Sequence, residues 1–442
     1  MPTILVTRSC VSRFAKPKGH AMNPFVRQLT AEHRVLTRRF FLGCGSVGLA
    51  ALRSLPLLAE DFRQNPSMKQ ALAELESFLT RLDDFGDVSR GDPLPHSLPA
   101  EKLKEVGLTR DTWKLEVLAD PEAPPRLRKT LTAEENSAFG FEDLMKLAET
   151  RAVRFPKVMT CLNMGYPLGM GIWEGVPLRD LIWLTQPREN LRRVFYYGYH
   201  NDDPEQRFQS SLPVGRVLED PYDLPPVILC YKLNGQWLTP QRGAPVRIVM
   251  PEGYGFKCIK WLSHVVLSNR SNSNDTYGEQ NNDVDSPLKS FCATLSLPPV
   301  VKPDEAIPVT GWGQAGIAGI RKVQVWVHDN EQALPKGDRY FTSAPWRDAT
   351  ILPPPEVWGG DLPDNTIPSP TLGFDSQTGQ PKTWPLKLSK IHWAALLPGL
   401  PAGEYTVRCR TIDDNGIAQP LPRPFAKSGS AAIQQKDLLI EA

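Results

Sequence analysis

Cys161 closes a short apolar run, Val158-Met159-Thr160, and is followed by Gly165, Gly169 and Gly171 and then by Trp173. A cysteine used as filler belongs in the middle of a strand. At a strand end, facing a loop, the sulfur can reach a ligand instead. A thiolate is a soft donor whose ionisation a bound metal enforces, and glycines beside it let the backbone approach a bulky group. The other cysteines are Cys10, Cys44, Cys230, Cys258, Cys292 and Cys409. No two form a CxxC pair, so no zinc ribbon, thioredoxin motif or covalent c-type haem site is readable. Their odd count and wide scatter argue against a disulfide framework. Taken singly, each reads as a small buried hydrophobe.

The elements that must position Cys161 follow from periodicity. Ser67 can cap a helix, with Leu72, Leu75, Phe78, Leu79 and Leu82 at helical spacing. Thr112–Asp120 alternates as a strand with Trp113, Leu115 and Val117 on one face. Phe141–Glu149 reads as a helix, Arg154–Cys161 as a strand, and Pro177 opens a helix with Leu178, Leu181 and Ile182 on its apolar side. Arg192–His200 is a strand. Pro225–Leu238 turns at Asn234-Gly235, a strong hairpin signal. Ala244–Asn269 gives strand, glycine turn and strand. An Asn/Asp/Ser-rich stretch, Ser271–Ser286, reads as a linker or covering loop. Beyond it Arg321–Asn330 and Gly403–Gly416 alternate with period two, as in a β-sandwich, interrupted by a proline-rich insertion from Leu334 to Lys390.

The chain has 442 residues, 41% hydrophobic and 23% charged, with 43 prolines. At roughly 150 residues per domain this suits two or three domains, with much loop and strand edge because proline cannot donate to a ladder. A net charge of +2 argues against a general nucleic-acid binder. Leu36–Glu60 resembles a twin-arginine export signal, with Arg38-Arg39 before Phe40-Phe41-Leu42 and a stretch too short to span a bilayer stably. It predicts periplasmic export of a folded protein, cleavage near Ala59, and no stable membrane span. The start is Met1 or Met22.

The middle of the chain resembles the sulfite oxidase family of molybdopterin enzymes. Its motifs come in the family's order: a strand ending in cysteine, then Trp173 to Leu181 ("WEGVPLRDL"), Tyr231 to Gly235 ("YKLNG"), Arg242 to Arg247 ("RGAPVR") and Tyr254 to Leu262 ("YGFKCIKWL"). Thr411 to Pro420 also falls where the family carries a related motif. The resemblance covers roughly residues 85 to 430. It implies an α+β chain: a mixed α/β molybdopterin domain over 61–270 including the N-terminal helix, a linker over 271–295, and an immunoglobulin-like β-sandwich dimerisation domain over 296–442, after a signal region over 1–60.

The resemblance also implies site residues. Cys161 would ligate molybdenum. Arg247 and Lys260 would bind the pterin's phosphate tail, which suits guanidinium and ammonium groups. Arg242 stands where the family has histidine. Lys257, Ser210 and Ser211 are further cofactor-binding candidates, and Arg90 matches an arginine near the metal. In the implied mechanism molybdenum cycles between oxidised and reduced states while an oxygen atom moves to or from a small sulfur-containing oxyanion; the protein supplies binding and electrostatics. With no haem in this chain and no iron–sulfur spacing, the electrons would pass to an external acceptor such as a periplasmic cytochrome, from a homodimer. Two rival readings are a sulfoxide reductase of the protein-repair type and a non-enzymatic exported interaction module. Family sulfite oxidases carry an arginine five residues after the cysteine, where this chain has Tyr166, and a tyrosine that by spacing falls at Val284. Tyr277 substitutes only if the loop is realigned. These gaps predict poor sulfite turnover and a physiological substrate that is less charged or larger.

Overall fold

The computed structural model describes residues 62, 64–201, 203–273, 275–420, 422–429 and 431–441. The twin-arginine stretch, the cleavage position and the alternative start lie outside them. Among the described residues no helix is long and apolar enough to cross a membrane.

Two five-stranded sheets pack face to face in the first half. One runs Phe139–Gly140, Lys114–Ala119, Leu262–Ser268, Arg193–Gly198, Gln209–Pro213. Its Lys114–Ala119 and Leu262–Ser268 strands are parallel and its other pairs antiparallel. The other runs Val153–Thr160, Pro167–Pro177, Ile228–Leu233, Gln236–Trp237, with Arg247–Val249 also on Ile228–Leu233. The alternation in Thr112–Asp120 is realised: Trp113, Leu115 and Val117 are buried against Val158, Ile172 and Leu229 of the facing sheet. Asn234 and Gly235 both take positive φ, 52° and 76°, the backbone that a two-residue hairpin turn needs. The Phe141–Arg151 helix forms as expected, and Pro177 ends a strand as the residue before the Leu178–Leu184 helix.

The second half is the β-sandwich. Its strand path runs Phe291–Ser296, Ile307–Gln314, Lys390–Leu397, Arg347–Ile351, Lys322–Asp329, Gly403–Ile412, Gln434–Ile440, Val300–Val301. It wraps a core that includes Ile307, Val309, Val323, Val325 and Val407.

Several expectations need correction. The N-terminal helix is Pro66–Ala73, capped by Asn65, whose side chain accepts from the Met68 amide, rather than by Ser67. It stops short of Leu75: Phe78 and Leu79 are buried in an irregular segment, where Phe78 meets Trp358 edge to face. The helix itself packs on the sandwich through Met68 and Ala394. The sandwich begins at Phe291, inside the expected linker. The Leu334–Lys390 insertion contributes the strand Arg347–Ile351 to the sandwich and buries Trp358, Leu362, Phe374 and Leu388 in the first-half core. It also lies along the outer strand Val153–Thr160: the Val158 amide donates to the Leu388 carbonyl and the Leu372 amide to the Arg154 carbonyl, each at 2.8 Å.

Candidate active site

The strand Val153–Thr160 carries Cys161 to the edge of a cavity of about 380 Å³. Arg90, Arg242, Arg247 and Lys260 line the same cavity, although they come from three separate segments of the chain.

The basic corner is built by the "RGAPVR" turn and the strand entry at Lys260. Gly243 has φ of 95°, and a Cβ there would sit 2.8 Å from the Lys260 Cβ. Glycine is therefore required both by the backbone and by the passing lysine stem. Arg242 and Arg247 are only 2% and 4% exposed. Their hydrogen bonds go to backbone carbonyls: Arg242 to Gly86, and Arg247 to Arg242 and Cys258. Arg242 Nε and Nη2 and Arg247 Nε are buried without any partner. Buried polar groups are nearly always satisfied, so orphaned guanidinium donors at a cavity wall point to an anion.

Lys260 Nζ donates to Asp87 and Ser89, both at 2.8 Å. Burial first, and the Arg247 charge next, push its pKa down to about 7. Burial raises the Asp87 carboxyl, but hydrogen bonds from Lys260 and Ser89 more than offset this and hold it well below the usual carboxylate range. Asp87 pairs with Lys260, and both Asp87 and Asp83 act on Arg242, against the three cations. The corner retains a surplus of positive charge in a low-dielectric setting, as a phosphate site requires.

A second polar group stands elsewhere on the wall. Arg90 Nη2 donates to the Tyr277 hydroxyl at 2.9 Å, and Asn163 Nδ2 approaches the same hydroxyl at 3.3 Å. The Arg90 guanidinium lies 4.4 Å from the Phe208 ring centre and 5.1 Å from that of Tyr277, and cation–π contact of this kind fixes its orientation. Lys427, on a loop of the sandwich half, lies 5.7 Å from the Tyr277 ring centre. Tyr277 thus reaches the cavity, as the realigned loop would have it. Val284 is buried in the core, and Tyr166 is 56% exposed and outside the cavity lining. Asn163, Phe85 and Lys427 were missed from sequence. Of these, only Asn163, two residues after the cysteine, carried a local signal.

Lys257, Ser210 and Ser211 do not line the cavity. Lys257 Nζ donates to Asp275 Oδ2 at 2.5 Å and to the Ser211 carbonyl at 2.8 Å. Ser210 Oγ donates to Asp275 at 3.1 Å, and Ser211 Oγ donates to the same carboxylate. Their donors are consumed by a fully buried acid that sequence reading did not couple to them. Gly169 and Gly171 also have a different task. They lie within the strand Pro167–Pro177, where a Cβ would strike the Phe85 ring at 2.5 Å and Leu233 at 2.4 Å. Gly169 makes room for Phe85 and Gly171 for Leu233.

Among the described residues no group of three or more His, Cys, Asp or Glu side chains could hold a metal. A metal at Cys161 would therefore take most of its ligands from a cofactor. The residues fit such a group: one half-buried thiol and, on the same cavity, unpartnered guanidinium donors for an anionic tail.

Residues 108–276 match the family described as oxidoreductase molybdopterin binding domain. Mitochondrial sulfite oxidase of Rattus norvegicus is 25% identical over 254 residues, covering 55% of this chain and 44% of that protein. Residues 108–276 are thus similar to the molybdopterin-binding domain of sulfite-oxidase-like oxidoreductases. Nitrate reductase [NADH] of Volvox carteri is 32% identical over a shorter segment, 23% of this chain and 12% of that protein. This sulfite-oxidase-like chain thus spans less than half the length of these curated relatives. In architecture it is similar to the sulfane dehydrogenase SoxCD of Paracoccus pantotrophus, with a TM-score of 0.52 and 16% identity over 76% of this chain and 79% of that one.

Proposed function

We propose that this chain is a molybdenum-cofactor-dependent oxidoreductase acting on a small sulfur-containing oxyanion of the sulfite type. The observation that carries this reading is the coincidence, on one cavity, of the Cys161 thiol with the orphaned donors of Arg242 and Arg247. In it, Arg242, Arg247 and Lys260 hold the phosphate tail of the pterin, and Cys161 ligates the metal. When bound, the molybdenum centre supplies two-electron redox chemistry coupled to oxygen-atom transfer at sulfur. Arg90, held by the Tyr277 hydroxyl and two aromatic rings, orients the anionic substrate, and Asn163 fixes that hydroxyl in turn. Electrons leave to an external acceptor. The Arg38-Arg39 stretch supports export to the periplasm, and the sandwich offers the surface for a homodimer.

The substrate site holds the expected hydroxyl but lacks a cation at position 166. One missing charged hydrogen bond costs about 2–4 kcal/mol, or roughly 30- to 1000-fold in rate, so sulfite is turned over well below the diffusional range. Molybdenum analysis of the purified protein, with visible spectra before and after sulfite, tests the reading. Stoichiometric metal and a sulfite-dependent change support it. A metal-free active protein overturns it, and reoxidation of the reduced centre by a sulfoxide but no response to sulfite reverses the direction of transfer.

A further inference from the structure

The sandwich core contains two cysteines that the redox site does not use. Cys292 lies in the strand Phe291–Ser296 and Cys409 in Gly403–Ile412, and they are 1% and 0% exposed within one apolar cluster. The two strands are tied together by side chains. Gln419 Oε1 accepts from the Cys292 amide and from the Thr411 amide, both at 3.1 Å. Gln434 Oε1 accepts from the Thr294 amide at 2.5 Å, and Gln434 is itself paired with Cys409 in the ladder. Thr294 Oγ1 is 3.8 Å from Cys409 Sγ. Burial, and then the hydrogen-bonding Cys409 thiol, push the Cys292 thiol well above its usual range. The thiols are therefore neighbours across the core, held in register by two glutamines.

We propose that Cys292 and Cys409 form a cross-sheet disulfide in the exported protein. This rests on the export reading above. The step joins the two sulfurs, releases two protons and passes two electrons to a protein disulfide of the thiol–disulfide oxidoreductase class, which becomes a dithiol. Reaction needs a thiolate in reach of the oxidant, which the closed core denies. Cys292, however, lies on a strand at the end of the sheet path, paired on one side only, with Ile307–Gln314. Local opening of an end strand exposes it without unfolding the domain. The bond would close a loop of more than a hundred residues, the kind of crosslink that most restricts the unfolded chain. Cys161 belongs to a different cluster, with Cys230 and Cys258, and is left to its ligand.

The test is thiol trapping on the full chain made in its host. Cells are quenched in acid and fractionated, the protein is alkylated in denaturant, and its peptides are mapped without reduction. In protein from the periplasm, a linked 292–409 peptide in near-stoichiometric yield, with Cys161 alkylated, is expected. Alkylation of both Cys292 and Cys409 there overturns the disulfide. Should the protein be found in the cytoplasm, the export reading has failed on its own. The purified protein is then incubated with oxidised glutathione at a temperature just below its midpoint: a linked peptide upholds the pairing, and two glutathionylated or free thiols overturn it. Cys409→Ala, mapped in parallel, leaves Cys292 unlinked to any other cysteine if the pairing is specific.

Discussion

Two clusters of buried cations, one around Lys257 and one around Arg242 and Arg247, do opposite things. Around Asp275, Lys257 and the hydroxyls of Ser210 and Ser211 converge on a carboxylate with no exposure, and Arg193 closes the group by donating to Ser211 Oγ. At the cavity wall, Arg242 and Arg247 are equally buried, yet three of their nitrogens meet nothing. In the first cluster the lysine and both hydroxyls are spent on the Asp275 carboxylate, which holds the loop after Ser268 to the sheet. The second is open, and stays costly until an anion arrives, because an unpaired buried polar group forfeits its hydration without return. Orphaned donors are not peculiar to the wall, since Arg193 Nε and two Arg408 nitrogens also lack partners; what sets Arg242 and Arg247 apart is that theirs stand on the cavity that Cys161 lines.

That contrast can be broken in order of effect. Lys257→Met should be the most damaging change, since it strands a buried carboxylate; a loss of about 3–5 kcal/mol is expected, read as a lowered denaturation midpoint with or without cofactor. Cys161→Ser should leave stability near wild type but cut turnover by roughly 100-fold or more, beyond what loss of an outer-sphere contact costs; a fully active variant would return this cysteine to the status of filler. Arg247→Met should split the two readouts. Cofactor retention falls by roughly 10- to 100-fold, as for loss of a charged hydrogen bond of about 1.5–3 kcal/mol. The midpoint of cofactor-free protein falls less than in Lys257→Met, because the two carbonyls that lose a donor are partly offset by removal of an unpaired buried charge. A variant as unstable as Lys257→Met would erase the distinction.

The smallest effect is a pH slope. Lys260 titrates near 7 in the folded protein against an ordinary value of 10.5. Between these values the unfolded chain binds the extra proton, so stability of cofactor-free protein rises with pH across that window and its penalty is complete below about 7. An anion in the corner favours the charged lysine, so phosphate binding should weaken as pH climbs past 7. Both slopes should shrink in Lys260→Met. Unchanged slopes would mean that Lys260 keeps an ordinary pKa and that the corner is not desolvated.

Local rules made much of this legible. The Asn234-Gly235 turn, the alternation at Trp113, Leu115 and Val117, and the strand ending at Cys161 all follow from patterns a few residues long. Arg242, Arg247 and Lys260 were readable through a resemblance that supplied their motif. What escaped depends on partners far along the chain. Phe78 and Leu79 keep helical spacing with Leu75 and Leu82, but contact with Trp358 in the insertion overrides it. Lys257 and Lys260 are lysines three residues apart, and each meets a carboxylate; that Asp275 lies deep in the core and Asp87 beside the cavity arginines separates their roles, and neither contact is local in sequence. Tyr277 lies in a stretch whose Asn/Asp/Ser composition announced a loop but not that its aromatic ring would turn inward.

The insertion's course along Val153–Thr160 has a consequence for how the chain may be cut. That strand ends its sheet, and an uncovered run of amides and carbonyls is a template for pairing with another molecule. Here Leu388 and Leu372, from more than two hundred residues downstream, take up the Val158 amide and the Arg154 carbonyl. Removing everything after residue 290 would delete more than a neighbouring domain. It would leave an apolar strand bearing Val158 and Met159 open along one side, and such a fragment should self-associate through that edge. The insertion thus also serves as a cover for the outer strand of the half that holds the cavity.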